Sequence, residues 1–255
     1  MPARNTAVNS GGHPPLFAPG NLMVIFVVTA LFLFWGVPVN LNDILIKQFM
    51  KSFEITRFKA GLIQSAFFTA YFVLAVPAAL VMRRLGYKAG LVIGLLLYSV
   101  GTFLFWPAAL EGQYGFFLFA LFVITSGSCF LETGANSFIT LLGDPRNSER
   151  RLNFSQAFFA VGAISGVLVG TIFIFSGVEM NKQQVAALKT AGAYNAYLRG
   201  ETLRVVTPYL ILGTLTFLWA MLILKTKGRR KYNHSVAVVM TTLPRVDDSV
   251  AFPSR

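Results

Sequence analysis

Glu132 is the residue with the most chemistry to offer in this chain. It stands in the run Phe130–Phe138, Phe-Leu-Glu-Thr-Gly-Ala-Asn-Ser-Phe, inside an otherwise apolar stretch from about Gly115 to about Leu142. Such a stretch is long enough to cross a bilayer, which takes roughly 20 apolar residues at about 1.5 Å each. An ionisable group at that depth costs on the order of 2.5–3.5 kcal/mol on insertion scales, so a carboxylate kept there is expected in a cavity, with partners. Ser128 and Asn136 lie four residues to either side, which predicts one polar stripe along an apolar helix. A carboxyl in this setting takes up a proton when desolvated and releases it when hydrated, which is a proton-coupling device.

A second carboxylate, Asp43, follows Trp35-Gly36-Val37-Pro38-Val39-Asn40-Leu41-Asn42. A hydrated residue at the end of a span and a second cavity carboxylate both fit it. Asn40 one turn back, with Gly36 and Pro38 loosening the helix, supports the cavity. Gln64, Ser65, Thr69 and Tyr71 fit either helix–helix glue or a solute path, with glue favoured by composition alone. Asn153 and Gln156 open a later span, and Gln156 fits a path-lining or a peripheral place equally. Amides and an indole beside carboxylates suit a polyhydroxylated solute: hydroxyls pair with Asn, Gln and carboxylate, and an apolar sugar face stacks on Trp35.

Six apolar spans position these residues: about Leu22–Ile44, Ala60–Met82, Ala89–Ala108, Gly115–Leu142, Phe154–Phe175 and Tyr209–Leu224. With 55% hydrophobic and 13% charged residues, the composition is that of an all-α integral membrane protein in contact with lipid. The net charge of +12 follows from basic loops. Arg83, Arg84 and Lys88, then Arg146, Arg150 and Arg151, then Lys225 to Lys231 fall on one side of alternating spans. That places both termini in the cytoplasm, with Lys47, Lys51, Arg57 and Lys59 a counter-current in the first outer connection. No basic-aromatic module points to nucleic acid.

The expected divisions are a cytoplasmic tail over 1–21, a six-helix bundle over 22–224, and a basic tail or truncated central loop over 225–255. The first apolar run reads as a retained span, without a signal-peptide cleavage site before it. Gly162, Gly166 and Gly170 form a flat face for close helix packing, and Gly90, Gly94 and Gly101 lie in the third span. Between the fifth and sixth spans, Gln183–Arg199 is Ala-rich and predicts a short amphipathic helix at the outer surface. The first and fourth spans each carry an Asn with a carboxylate, as expected of a 3+3 inverted repeat.

Cys129 stands alone and both histidines, His13 and His234, lie outside the spans. There is no disulfide framework, no His metal site or relay in the membrane, no cofactor motif, no phosphate loop and no nucleophile elbow, so no enzyme is expected.

Trp35 through Phe49, Gly61-Leu-Ile-Gln-Ser-Ala-Phe67, Leu131-Glu-Thr-Gly-Ala-Asn136 and Arg151-Leu-Asn-Phe-Ser-Gln156 resemble the L-fucose–proton symporter family. That family belongs to the major facilitator superfamily and includes glucose/galactose permeases. The resemblance runs from about Leu22 to about Leu224. It implies one N-terminal half of a twelve-span transporter in the bacterial inner membrane. Sugar and proton would be its solutes, and a second six-helix half or a second copy its partner. It also implies that Asp43 and Glu132 are the functional carboxylates, Glu132 being the proton carrier, and that Asn40, Trp35 and Gln156 face the sugar. Gln64 and Asn136 join this expected substrate-binding set. Phe159 stands where the fucose-transporting pattern has Asn, three residues after the matching Gln, so another hexose such as galactose or glucose is expected beside L-fucose. A six-span chain lacks an opposing wall, so the alternative expectation is a truncated, non-transporting membrane fragment or assembly subunit.

Overall fold

The computed structural model describes residues 16, 22–142, 144–175 and 180–225. His13, His234, the remainder of the expected N-terminal tail and the basic stretch after Lys225 lie outside the described residues.

Among the described residues all regular structure is helical: α1 Leu22–Ser52, α2 Arg57–Leu85, α3 Tyr87–Phe103, α4 Phe105–Glu111, α5 Tyr114–Leu141, α6 Ser148–Val169, α7 Lys182–Thr190, α8 Tyr194–Leu203 and α9 Val206–Lys225. A 3-10 turn, Pro145–Asn147, leads into α6 and a π turn, Gly170–Ile174, ends it. These make 6 candidate spans by length and composition, with α3 and α4 forming the third and α8 and α9 the sixth. The chain is a multi-pass membrane protein.

Local signals set the boundaries. The Thr56 side chain caps α2 by accepting from the Lys59 backbone N–H. Gly86 (φ 87°) and Gly112 (φ 63°) take conformations closed to most other residues and stop α2 and α4. At the far end of α9, the Lys88 ammonium donates to the Leu224 carbonyl at 2.9 Å.

α1 is longer than expected. It continues past Ile44 to Ser52, because Leu41, Leu45 and Phe49 keep one face buried while Lys47 and Lys51 ride on the others. The first connection shrinks to Phe53–Thr56, and Asp43 sits within a continuous helix and not at its end. Gly36 and Pro38 do not break α1 either. Pro38 has no N–H for the Phe34 carbonyl, and the Tyr98 hydroxyl of α3 donates to that carbonyl instead, at 3.2 Å.

Helices pack where glycines let backbones meet. On α6, Gly162 lies against the Leu33 carbonyl and Gly166 against that of Val37, while Gly36 of α1 lies against the Phe159 carbonyl. On α5, Gly127 meets Gly94 and Tyr98 of α3. The main pairings are α1 with α6, α2 with α5, and α3 with both α5 and α9. Exchanging the first three spans for the last three turns the α1–α6 pair into the α5–α2 pair, as a 3+3 repeat requires.

The expected helix over Gln183–Arg199 is two helices. α7 opens with a capping box between Asn181 and Gln184, and Gly192 at φ 69° turns the chain into α8. α8 is anchored on the end of α1 by the buried Glu201, which accepts from Gln48 at 2.9 Å and pairs with Lys51 at 3.0 Å.

Candidate substrate and proton site

α5 presents Glu132 half-buried, about two-thirds of the way along its length. Facing it from α2 is the Tyr71 hydroxyl, near enough for the phenol and the carboxyl to influence each other's charge. That hydroxyl also accepts from the Trp35 indole N–H of α1 at 2.8 Å. The Trp35 ring packs on Phe159 of α6 with centroids 4.5 Å apart and planes tilted 44°, and meets Phe32 edge-on at 6.3 Å. One turn beyond Glu132, Asn136 accepts from the exposed Gln156 of α6 at 3.5 Å, the long limit of a hydrogen bond. Trp35, Glu132, Asn136 and Gln156 therefore enter two small polar contacts joining α1, α2, α5 and α6.

Other expected members are placed differently. Ser128 is fully buried and donates to the Ile124 carbonyl of its own helix at 3.3 Å. It leaves the stripe because α5 is pressed against α3 at this level through Gly127. Asn40 is half-buried and, among the described residues, reaches only the Gly36 carbonyl, at 3.4 Å. Asp43 is exposed and makes no hydrogen bond or ion pair among the described residues. The buried amide is its neighbour Asn42, which donates to Gln64 of α2 at 2.6 Å. Gln64 thus ties α2 to α1, and also borders an open groove with Ser65, Phe68, Thr69 and Phe72.

Two residues gain a place that sequence reading did not give them. Tyr71 bridges Trp35 and Glu132; its spacing of seven from Gln64 puts both on one face of α2, which was the available signal. Arg151, read as a loop cation, is fully buried. It donates to the carbonyls of Ile139 (3.3 Å), Thr140 (2.9 Å) and Asp144 (2.9 Å). It closes the C-terminus of the helix that carries Glu132. Among the described residues no group of three His, Cys, Asp or Glu side chains could hold a metal ion.

This arrangement can hold a proton on a half-buried carboxyl and present an indole and amides beside it. The chain is 44% identical over 213 residues to the L-fucose-proton symporter of Escherichia coli, covering 83% of this chain and 49% of that protein. It is 37% identical over 186 residues to the glucose/galactose transporter of Brucella abortus, covering 73% of this chain and 42% of that protein. The crystal structure of FucP, a major facilitator transporter in the outward conformation, superposes with a TM-score of 0.71. The identity there is 40%, over 89% of this chain and 56% of that one. The chain spans about half the length of the curated relatives it matches. The model of the Major Facilitator Superfamily matches residues 17–238, and with the helix pairing described above the chain belongs to that superfamily.

Proposed function

We propose that this chain is the N-terminal six-helix half of a sugar–proton symporter of the bacterial inner membrane, working by alternating access with a second six-helix half or a second copy. The carrying observation is the convergence of one half-buried carboxyl, Glu132, with the Tyr71 hydroxyl, the Trp35 indole and the Asn136–Gln156 amides from four helices. Glu132 takes the proton. The sugar, L-fucose or a related hexose such as galactose or glucose, binds near Asp43, Asn40, Trp35, Gln156 and Asn136. The names of the relatives support sugar and proton as solutes. The bond from Asn42 supports a scaffold role for Gln64 at the edge of the path. The bundle spans 22–224, with both tails cytoplasmic, and its exposed apolar residues on α2 and α6, Phe72 and Ile164 among them, meet lipid or the second half. The chain transports and does not catalyse covalent chemistry.

The test is sugar-induced alkalinisation outside energy-depleted vesicles carrying the chain, with L-fucose, galactose and glucose in turn. A signal for one sugar, lost in Glu132→Gln, is expected. A signal that survives Glu132→Gln removes Glu132 from coupling. Silence for every sugar with the protein inserted favours a non-transporting half.

A further inference from the structure

Three helices meet at the oxygen of Tyr71. Trp35 of α1 donates to it at 2.8 Å, Tyr71 itself belongs to α2, and Glu132 of α5 faces it. A phenol has one proton to give and lone pairs to accept with. With the indole N–H on the acceptor side, the phenol proton is left for the Glu132 carboxylate. Once Glu132 is protonated, its carboxyl is itself a donor. Its O–H can then donate to the phenol oxygen, and the phenol proton must turn away from the carboxyl, which disturbs the side on which Trp35 donates. The hydrogen bond that holds the indole therefore depends on whether Glu132 carries a proton.

We infer that Tyr71 is a positioning residue that couples the protonation state of Glu132 to the orientation of the Trp35 indole. This rests on reading Glu132 as the proton group and Trp35 as a sugar-facing group. The surroundings keep the coupling local. Besides Tyr71, the titratable neighbour of Glu132 is Cys129, one turn back on α5. Tyr98 faces Tyr71 from α3 but is committed to the Phe34 carbonyl. On this side α1 and α6 contribute neutral groups, Trp35, Phe159 and Gln156, and among the described residues no cation pairs with Glu132. Phe159 supports one side of the indole, so loss of the Tyr71 bond frees the ring to turn on that support. Proton loading would thereby reshape the stacking surface offered to a sugar, which is what coupling requires of a symporter half.

The test uses the whole chain labelled with 5-fluorotryptophan in detergent or liposomes, without sugar. Fluorine NMR resolves its 3 tryptophans, and Trp35→Phe assigns the Trp35 resonance. From about pH 4 to about pH 9, the Trp35 resonance is expected to shift. The shift is expected to vanish in Glu132→Gln and to be largely lost in Tyr71→Phe. The same shift in Tyr71→Phe as in the parent overturns the proposal, as does a shift that persists in Glu132→Gln or is absent from the parent. Should Tyr71→Phe not fold, difference infrared of the Glu132 carboxyl in Trp35→Phe decides. Linkage is reciprocal, so its titration midpoint must move, and an unmoved midpoint overturns the coupling. Neither readout involves sugar or transport, so failure of the coupling and failure of the transport reading are told apart.

Discussion

Gly166 on α6 lies directly against the carbonyl of Val37 on α1, so close that an added Cβ would stand 2.6 Å from the oxygen. With Gly162 on Leu33 and Gly36 on the Phe159 carbonyl, it sets the separation of the two helices that carry Trp35 and Gln156. Gly166→Leu is expected to force α1 and α6 apart and to cost about 1–3 kcal/mol through overpacking. Gly61→Leu is the control, since a Cβ there meets nothing within 4 Å. Thermal unfolding of the detergent-solubilised chain checks the pair, and equal melting of the two variants would refute the argument.

Arg151 supports a second prediction. Its guanidinium gathers three carbonyls at and just beyond the end of α5. Those of Ile139 and Asp144 also accept from the backbone N–H groups of Leu142 (3.4 Å) and Asn147 (3.1 Å), and that of Thr140 depends most on Arg151. In Arg151→Met the Thr140 carbonyl loses its guanidinium donor, at about 1–3 kcal/mol where water cannot reach it, while Ile139 and Asp144 keep their backbone donors. Arg151→Lys keeps the charge but not the planar fork, so it should fall between parent and Met. Parent-like unfolding of Arg151→Met would show that the carbonyls find other partners.

These two residues also mark what was legible in the sequence and what was not. The glycine face of α6 was readable because a four-residue repeat specifies a helix face by itself. The six spans were readable because apolar length is counted directly. Arg151 was misplaced because positive charge near a span end is the ordinary mark of a loop, and burial of a guanidinium depends on the carbonyls of another helix. Ser128 was assigned to the polar stripe by periodicity. Periodicity names a face but not the neighbour that covers it, here α3 packed at Gly127. Asn40 and Asn42 differ by two positions, and only the place of α2 decides that Asn42 is the buried one. Tyr71 was visible as one polar residue among four; its bridge between α1 and α5 is a tertiary fact.

The connection between α5 and α6 yields a pH prediction. Asp144 accepts from the backbone N–H of Arg146 at 2.9 Å and from its guanidinium at 3.2 and 2.9 Å. The Arg146 side chain, with that N–H, holds the Asp144 carboxyl below the usual carboxylate range. A lowered folded-state value gives stability that is present above the ordinary value and is lost as pH falls through the lowered one. The parent should therefore melt above Asp144→Asn near neutrality, with the gap closing below about pH 4. The pair is exposed, so the gap should be small and shrink with added salt. A gap that widens in acid would contradict the assignment.

Phe159 gives the sharpest test of selectivity. By resemblance, a fucose-transporting pattern is expected to have an amide here, and this chain has an aromatic ring against Trp35 at 4.5 Å. Phe159→Asn removes an aromatic pair worth about 0.5–1.5 kcal/mol and leaves the indole its Tyr71 bond and the edge contact with Phe32. The indole should become wetter and more mobile, read as a red shift of tryptophan emission. It also adds a hydrogen-bonding group beside the proposed sugar path. A site built to bond a hydroxyl discriminates against solutes that leave it unpaired, so the ranking of L-fucose, galactose and glucose in the alkalinisation assay should change. An emission shift with an unchanged ranking would place Phe159 in the packing of Trp35 alone. A changed ranking would place it at the sugar path, where the new amide meets hexose hydroxyls directly or the released indole offers them a different stacking surface.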